Sequence, residues 1–403
     1  MRRWKCLGLA LIGGWFFLGV SVSEVFAGGK IAIDETKWIS VGAGGRFSFA
    51  AKEDSSPNGD SWSKDFNVDN TRIYINGQIH KYFKIEVNTD CVFCGNSNLE
   101  EFALLDAIAK VELTPWFNIW GGRLLVPAER QELNGPFYSS TYDPYKTPFF
   151  PADFSTTFGA GGAGVYARDQ GANIWGAVGP GGAFQYVVGI FQGLQSSANS
   201  GPNQNDNPLY AGRVAYNFLN VEQNPGYYTS GTYYGTAGDI FTVGAVLQYQ
   251  KDGSGSKDNR GNFLGFAGDV LLEKVFGSMG TFTFNGEYKH FDSDYKSAAF
   301  TDGTGVFPMF DGDSFSLVAL YLTPNPVWVG RFQPYTRYTG VYPNGSSDRD
   351  EFEVGINYVI DGHNARISLF YQYGDIATKG LDYAPQVKGD DISAIKLGIQ
   401  LQI

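Results

Sequence analysis

The side chains of this 403-residue chain best suited to metal binding or nucleophilic chemistry are three histidines, His80, His290 and His363, and three cysteines, Cys6, Cys91 and Cys94. Their spacing supports little of either. No Ser, His and acid arrangement stands out, no H-E-x-x-H occurs, and no phosphate-cradling G-x-x-x-x-G-K-[ST] is present. The run from Gly159 to Gly164 lacks a strand-to-helix setting and reads as backbone freedom. Cys91 and Cys94 form C-V-F-C. A c-type haem needs His after the second cysteine, where Gly95 stands, and a zinc site needs two further ligands nearby. A small Cys91–Cys94 disulfide is the first reading in an oxidising compartment. The expectation is a protein without catalysis, metal or cofactor.

Other ionisable side chains carry more information, because they recur on one face of alternating segments. Successive side chains of a strand point to opposite faces. In Ile392–Ile403 the apolar Ile395, Leu397, Ile399, Leu401 and Ile403 alternate with Lys396, Gly398, Gln400 and Gln402. Similar alternation recurs from Trp38 onward, in about sixteen segments separated by turns and loops. The fold class expected is all-β, a transmembrane antiparallel up-and-down β-barrel of about sixteen strands over 38–403, with lipid on one face and a watery lumen on the other. Closure lets every backbone group pair inside lipid. Placing the apolar face outward makes Arg46, Arg72, Lys84, Glu86, Asp106, Lys110, Arg213, Glu287, Lys289, Arg331, Arg337, Glu353, Arg366 and Lys396 pore-lining candidates. Mixed signs suit a wall that orders water, whereas a ring of one sign selects ions. Many of these charges are also placed to pair across strands and keep the wall wet. Arg123 has no clear face.

One irregular stretch, 127–169, interrupts the rhythm with five prolines among many aromatics. A loop of that length is usually functional or disordered, and its aromatic content argues against disorder. Folded into the lumen, it would bring Glu129, Arg130, Glu132, Asp143, Lys146 and Asp153 to a constriction; otherwise it is an outer lid or a subunit contact. Long loops fall on one side and tight turns on the other, except that Leu219 to Gly238 is long on the turn side.

The first 27 residues read as a secretory leader: Arg2, Arg3 and Lys5, an apolar run from Cys6 to Val22, and cleavage after Ala27. Residues 28–37 form a lead-in to the barrel. The net charge of −11 argues against nucleic acid as a partner. The partners expected instead are the lipid bilayer and lipopolysaccharide of a Gram-negative-type outer membrane, and small hydrophilic solutes or ions.

Short motifs extend this reading. Gly121-Gly122-Arg123-Leu124-Leu125-Val126-Pro127 resembles the G-x-x-x-x-P strand end of the phosphate-selective porin family, porins O and P. Arg168-Asp169-Gln170-Gly171 and the segment Phe184–Gly193 resemble that family's R-D-x-G and Y-x-x-G-x-F-x-G pair, and Arg331–Tyr338 and Asp361–Ala365 its later strand and turn. The resemblance implies a sixteen-stranded, homotrimeric outer-membrane channel. Its selectivity does not carry over, because the six constriction candidates of the long loop are one Arg and one Lys against four acids. A general or weakly cation-preferring porin for passive diffusion is expected. The alternatives are an anion- or phosphate-selective channel, the barrel sheath of an outer-membrane electron-transfer conduit suggested by C-V-F-C, a barrel lipase or protease with Ser and His in contact, and a secreted soluble carbohydrate-binding β-protein.

Overall fold

The computed structural model describes residues 29–91, 102–144, 150–154, 167–294, 310–344, 348–375 and 391–403. The leader, Cys94, Lys146 and the glycine run 159–164 lie outside the described residues.

The alternating segments are strands. A short β1 (Gly29–Ala32) precedes β2 (Trp38–Lys52), β3 (Asp65–His80), β4 (Phe83–Cys91), β5 (Phe102–Thr114), β6 (Phe117–Leu125), β7 (Arg168–Val178), β8 (Phe184–Phe191) and β9 (Leu209–Asn217). Then follow β10 (Ile240–Gly255), β11 (Arg260–Val275), β12 (Thr281–Asp292), β13 (Gly312–Leu322), β14 (Arg331–Pro343), β15 (Arg349–Asp361), β16 (Ala365–Gly374) and β17 (Ile392–Gln402). From β2 to β17 each strand pairs antiparallel with the next, β9 with β10 included. The circle shuts where β17 returns to β2, with Leu397 opposite Phe49 and Ile399 opposite Phe47. Sixteen strands therefore form a closed barrel. β1 pairs with Trp38–Val41, the part of β2 that lies past the end of its pairing with β17.

Burial runs opposite to that of a water-soluble domain. On β17 the outward Leu397, Ile399 and Leu401 are 42%, 40% and 52% exposed, whereas inward Gln400 is fully buried. Arg366, Ser368, Glu353 and Asn357 are equally buried, while Val354, Ile356 and Leu369 face outward. Ladder pairs share a face, so the outer face is largely apolar, while the inner face gathers the buried charges together with some apolar residues such as Leu271 and Val318. Such an outer surface is stable only against hydrocarbon, and the closed ladder leaves no backbone edge unpaired there. Aromatic residues mark both margins of the apolar band: Phe83, Trp116, Phe184, Phe276 and Phe332 near the turns, and Phe66, Phe102, Tyr210, Tyr288 and Tyr373 near the long loops. No helix among the described residues is long and apolar enough to cross a membrane.

Arg123 is now placed. Its backbone stands opposite Ala107 and Gln170, and its side chain is half-buried with a buried Nε, in the field of Asp106 and Asp169. Cys91 ends β4 and is disulfide-bonded.

Candidate functional site: the barrel lumen

The lumen holds protein. The long loop enters from one end and carries α1 (Arg130–Asn134), all five residues of which are buried. Phe137 and Tyr142 are fully buried beyond it. A loop backbone inside a barrel has no ladder to join, so its carbonyls need side-chain donors. The wall supplies them largely from arginine, whose five N–H groups suit the task. Arg366 donates to the Ser139 carbonyl at 2.9 Å, Arg337 to Thr141 Oγ1 at 3.0 Å, and Arg46 to the Tyr142 carbonyl. Gln400 and Asn357 hold the carbonyls of Phe137 and Ser140 at 2.8 and 3.1 Å. Tyr142 lies on the closing strand where Gly398 stands: a Cβ there would come within 2.4 Å of the ring. Lys396 bridges Asp69 and the loop's Asp143, at 3.4 and 3.0 Å. Asp153 caps a second inward turn by accepting from the Phe150 N–H at 3.0 Å.

A second segment, 219–238, enters from the turn end. The sequence flagged it as too long for that side, and its length is spent inside the barrel. Tyr227 and Tyr228 pack on the fully buried Trp120, with ring centroids 5.4 and 5.5 Å apart. Gly226, at φ +60°, permits this approach, since a Cβ there would lie 2.2 Å from the indole. The buried carboxylate of Glu273 on β11 accepts from Thr232 Oγ1, Tyr233 N and Gly235 N at 2.7–3.0 Å.

The two segments meet. Arg130 of α1 makes two hydrogen bonds of 2.7 Å to Glu222, one to each carboxylate oxygen, and a third to the Ser230 carbonyl at 3.0 Å. Thr229 Oγ1 donates to the Arg130 carbonyl at 2.7 Å, and Gly231 N to the Tyr138 carbonyl at 2.8 Å. Burial opposes ionisation of Glu222, but the Arg130 guanidinium outweighs it and holds the carboxyl below its usual value. Asp269 on β11 accepts from Arg213, which pairs with it through both terminal nitrogens, and lies 3.4 Å from Arg130 Nε. Beyond α1, Lys289 contacts Glu129 at 2.5 Å and Glu132 at 3.8 Å, while Glu287 accepts from Gln131 N at 2.7 Å. Burial, reinforced by Glu132, pushes the Glu129 carboxyl above its usual value despite Lys289.

His363, in the turn between β15 and β16, touches both segments. Its Nε2 lies 2.9 Å from both Ser230 Oγ and the Thr232 carbonyl, and its ring packs on Tyr138 and Tyr234. Burial, helped by Arg366, pushes its pKa down to about 3. A Ser–His contact therefore exists. Its Nδ1 faces the Tyr234 hydroxyl at 3.4 Å where a triad would place a carboxylate, and Ser230 lies deep in the lumen, away from the lipid face.

What remains open is a cavity of about 1820 Å³ toward the turn end. Of the fourteen pore-lining candidates, Arg72, Lys84, Glu86, Asp106, Lys110 and Arg331 line it. The other eight, Arg46, Arg213, Glu287, Lys289, Arg337, Glu353, Arg366 and Lys396, lie away from the cavity and grip the inserted segments or one another; Glu353, for example, binds Arg337 at 2.5 Å. Inward orientation was legible in the alternation, but division into wall and anchor was not. Four cavity cations are held by carboxylates: Arg72 by Asp90 at 2.8 Å, Lys84 by Glu112 at 2.9 Å, Lys110 by Glu86, and Arg168 by Asp106 at 3.0 Å. Sequence reasoning missed Glu222, Arg168 and Asp90. For Glu222 the available signal was the length anomaly of its loop.

Barrel, infolded loop and charged lumen define a porin-like architecture. Solved structures with a similar fold include the following. An anion-selective porin from Comamonas acidovorans matches with a TM-score of 0.56 at 15% identity, over 91% of this chain and 100% of that one. Salmonella typhi OmpF, in complex with daunomycin, matches with 0.57 at 14% identity, over 93% and 100%. The trimer form of OmpT from Vibrio cholerae matches with 0.52 at 12% identity, over 92% and 100%. At these identities the likeness is one of fold. No protein-family model matches the sequence, and no characterised protein matches it closely.

Proposed function

We propose that this chain is an outer-membrane porin, a passive diffusion channel for small hydrophilic solutes or ions, with no turnover and no cofactor. One observation carries the reading: a closed sixteen-strand barrel that is apolar outside and polar inside encloses a large cavity lined by charged residues. A leader ending at Ala27 fits export to that membrane. The constriction is formed from both ends, by α1 with the residues after it and by 219–238. The ion pairs of the cavity wall favour a general channel over a phosphate-selective one, since Arg72, Lys84, Lys110 and Arg168 are each held by a carboxylate. A homotrimer is the assembly this reading carries, and the trimer form of Vibrio cholerae OmpT has the same fold.

Planar-bilayer recording of the purified, folded protein tests the proposal. Stepwise conductance that scales with bulk salt is expected, with a small reversal potential in a salt gradient. Folded protein that inserts without conductance would refute it.

A further inference from the structure

We propose that the cavity wall from Lys110 to Arg168, together with Trp175 and Tyr228, is a subsite for an uncharged polyhydroxylated ring, a monosaccharide or short oligosaccharide. The inference rests on the channel reading above and names a solute class for it.

The wall here is one continuous hydrogen-bonded chain. Lys110 binds Glu86, Asn88 Nδ2 donates to Glu86 at 2.8 Å and to Asp106 at 3.0 Å, and Arg168 closes the chain on Asp106. Two bases and two acids leave it with no net charge. Every ion in it already has a partner of opposite sign, so a charged solute binds only by breaking a buried pair, which is costly. A hydroxyl both donates and accepts, and adds to such a chain without displacing any member.

Residues that line the same cavity carry hydrogen-bonding atoms not used within the protein. Asn88 Oδ1, Trp175 Nε1 and Tyr228 Oη are buried and have no protein partner among the described residues. Turned toward the cavity by a side-chain rotation as a solute docks, they supply an acceptor, a donor and a hydroxyl. Trp175 and Tyr228 both pack edge-on against Trp120, at 5.3 and 5.5 Å, and both remain half-buried at the cavity wall. Their ring faces offer apolar area to the C–H face of a pyranose, while polar atoms around them read its hydroxyls. An open-chain polyol has the hydroxyls without the flat face.

The test uses full-length protein in bilayers and in detergent, with maltose as probe and sorbitol as control. Maltose is expected to reduce single-channel conductance saturably and to shift tryptophan fluorescence over the same concentrations. Sorbitol is expected to act only through viscosity. Tyr228→Phe keeps the ring on Trp120 and removes the hydroxyl, and is expected to raise the half-saturating maltose concentration roughly fivefold, the value of one hydrogen bond. Trp175→Phe is expected to do the same. Maltose and sorbitol acting alike in both readouts, or half-saturation unmoved by both substitutions, would overturn the subsite. Fluorescence saturation without any conductance would refute the channel reading and leave the subsite standing.

Discussion

Arg130 and Glu222, 92 positions apart in sequence, face each other through two hydrogen bonds of 2.7 Å, both side chains almost fully buried. This pair joins a segment that enters the barrel from one end to a segment that enters from the other. Neither belongs to the wall.

Removing one partner of a buried ion pair leaves an uncompensated charge, at a cost of about 3–5 kcal/mol. Glu222→Ala leaves Arg130 with Asp269 at 3.4 Å and the Ser230 carbonyl. The expected outcome is a lower urea midpoint, followed by tryptophan fluorescence, and a larger single-channel conductance as 219–238 loosens. The double substitution Arg130→Met with Glu222→Met is expected to recover part of the midpoint. A Glu222→Ala midpoint equal to wild type would show that the pair is not a latch.

His363 makes the docking acid-sensitive. Its pKa is near 3 in the folded protein against an ordinary 6.5. Between these values the unfolded chain binds a proton that the folded protein refuses, so stability falls as pH drops from 6.5 toward 3 and is fully present above 6.5. The urea midpoint is expected to be lower at pH 5 than at pH 7.5. His363→Gln should flatten that difference. A difference of the same size in the variant would assign the acid sensitivity elsewhere.

Lys289 is the base beside Glu129, Glu132 and Glu287. Lys289→Met removes positive charge from the inserted loop. The reversal potential in a potassium chloride gradient is expected to shift toward cation preference. The shift should grow with pH, because the raised Glu129 carboxyl ionises late. A reversal potential identical to wild type from pH 6 to 9 would place these acids outside the conduction path.

On the outer face, Leu397 is 42% exposed and pairs with Phe49 and Leu369. Arginine there meets hydrocarbon and is expected to cost about 2–4 kcal/mol near the bilayer midplane. Leu397→Phe, which stays apolar at the same position, is not expected to carry that penalty. Folding yield into vesicles with and without urea separates the two; equal losses would argue against a lipid-facing Leu397.

The strands, their boundaries to within a few residues, and their faces were legible in the sequence. Alternation has a period of two and is enforced along the whole chain by the contrast between lipid and water. Ile395 and Leu397 announce their side by their neighbours alone. The same rule gave Arg46, Arg337 and Arg366 their inward direction but not their task, which is to hold the loop carbonyls of Tyr142, Asp143 and Ser139. That task depends on where an aperiodic segment comes to rest.

The sequence by itself determined a closed, membrane-facing barrel, because period and composition are local properties that leave few other solutions. Tertiary structure alone decided that two segments share the lumen, that Glu222 meets Arg130, and that six of fourteen inward charges face the cavity. Those contacts join residues distant in sequence, and they are selected by shape and buried hydrogen bonding, for which the chain carries no repeating signature.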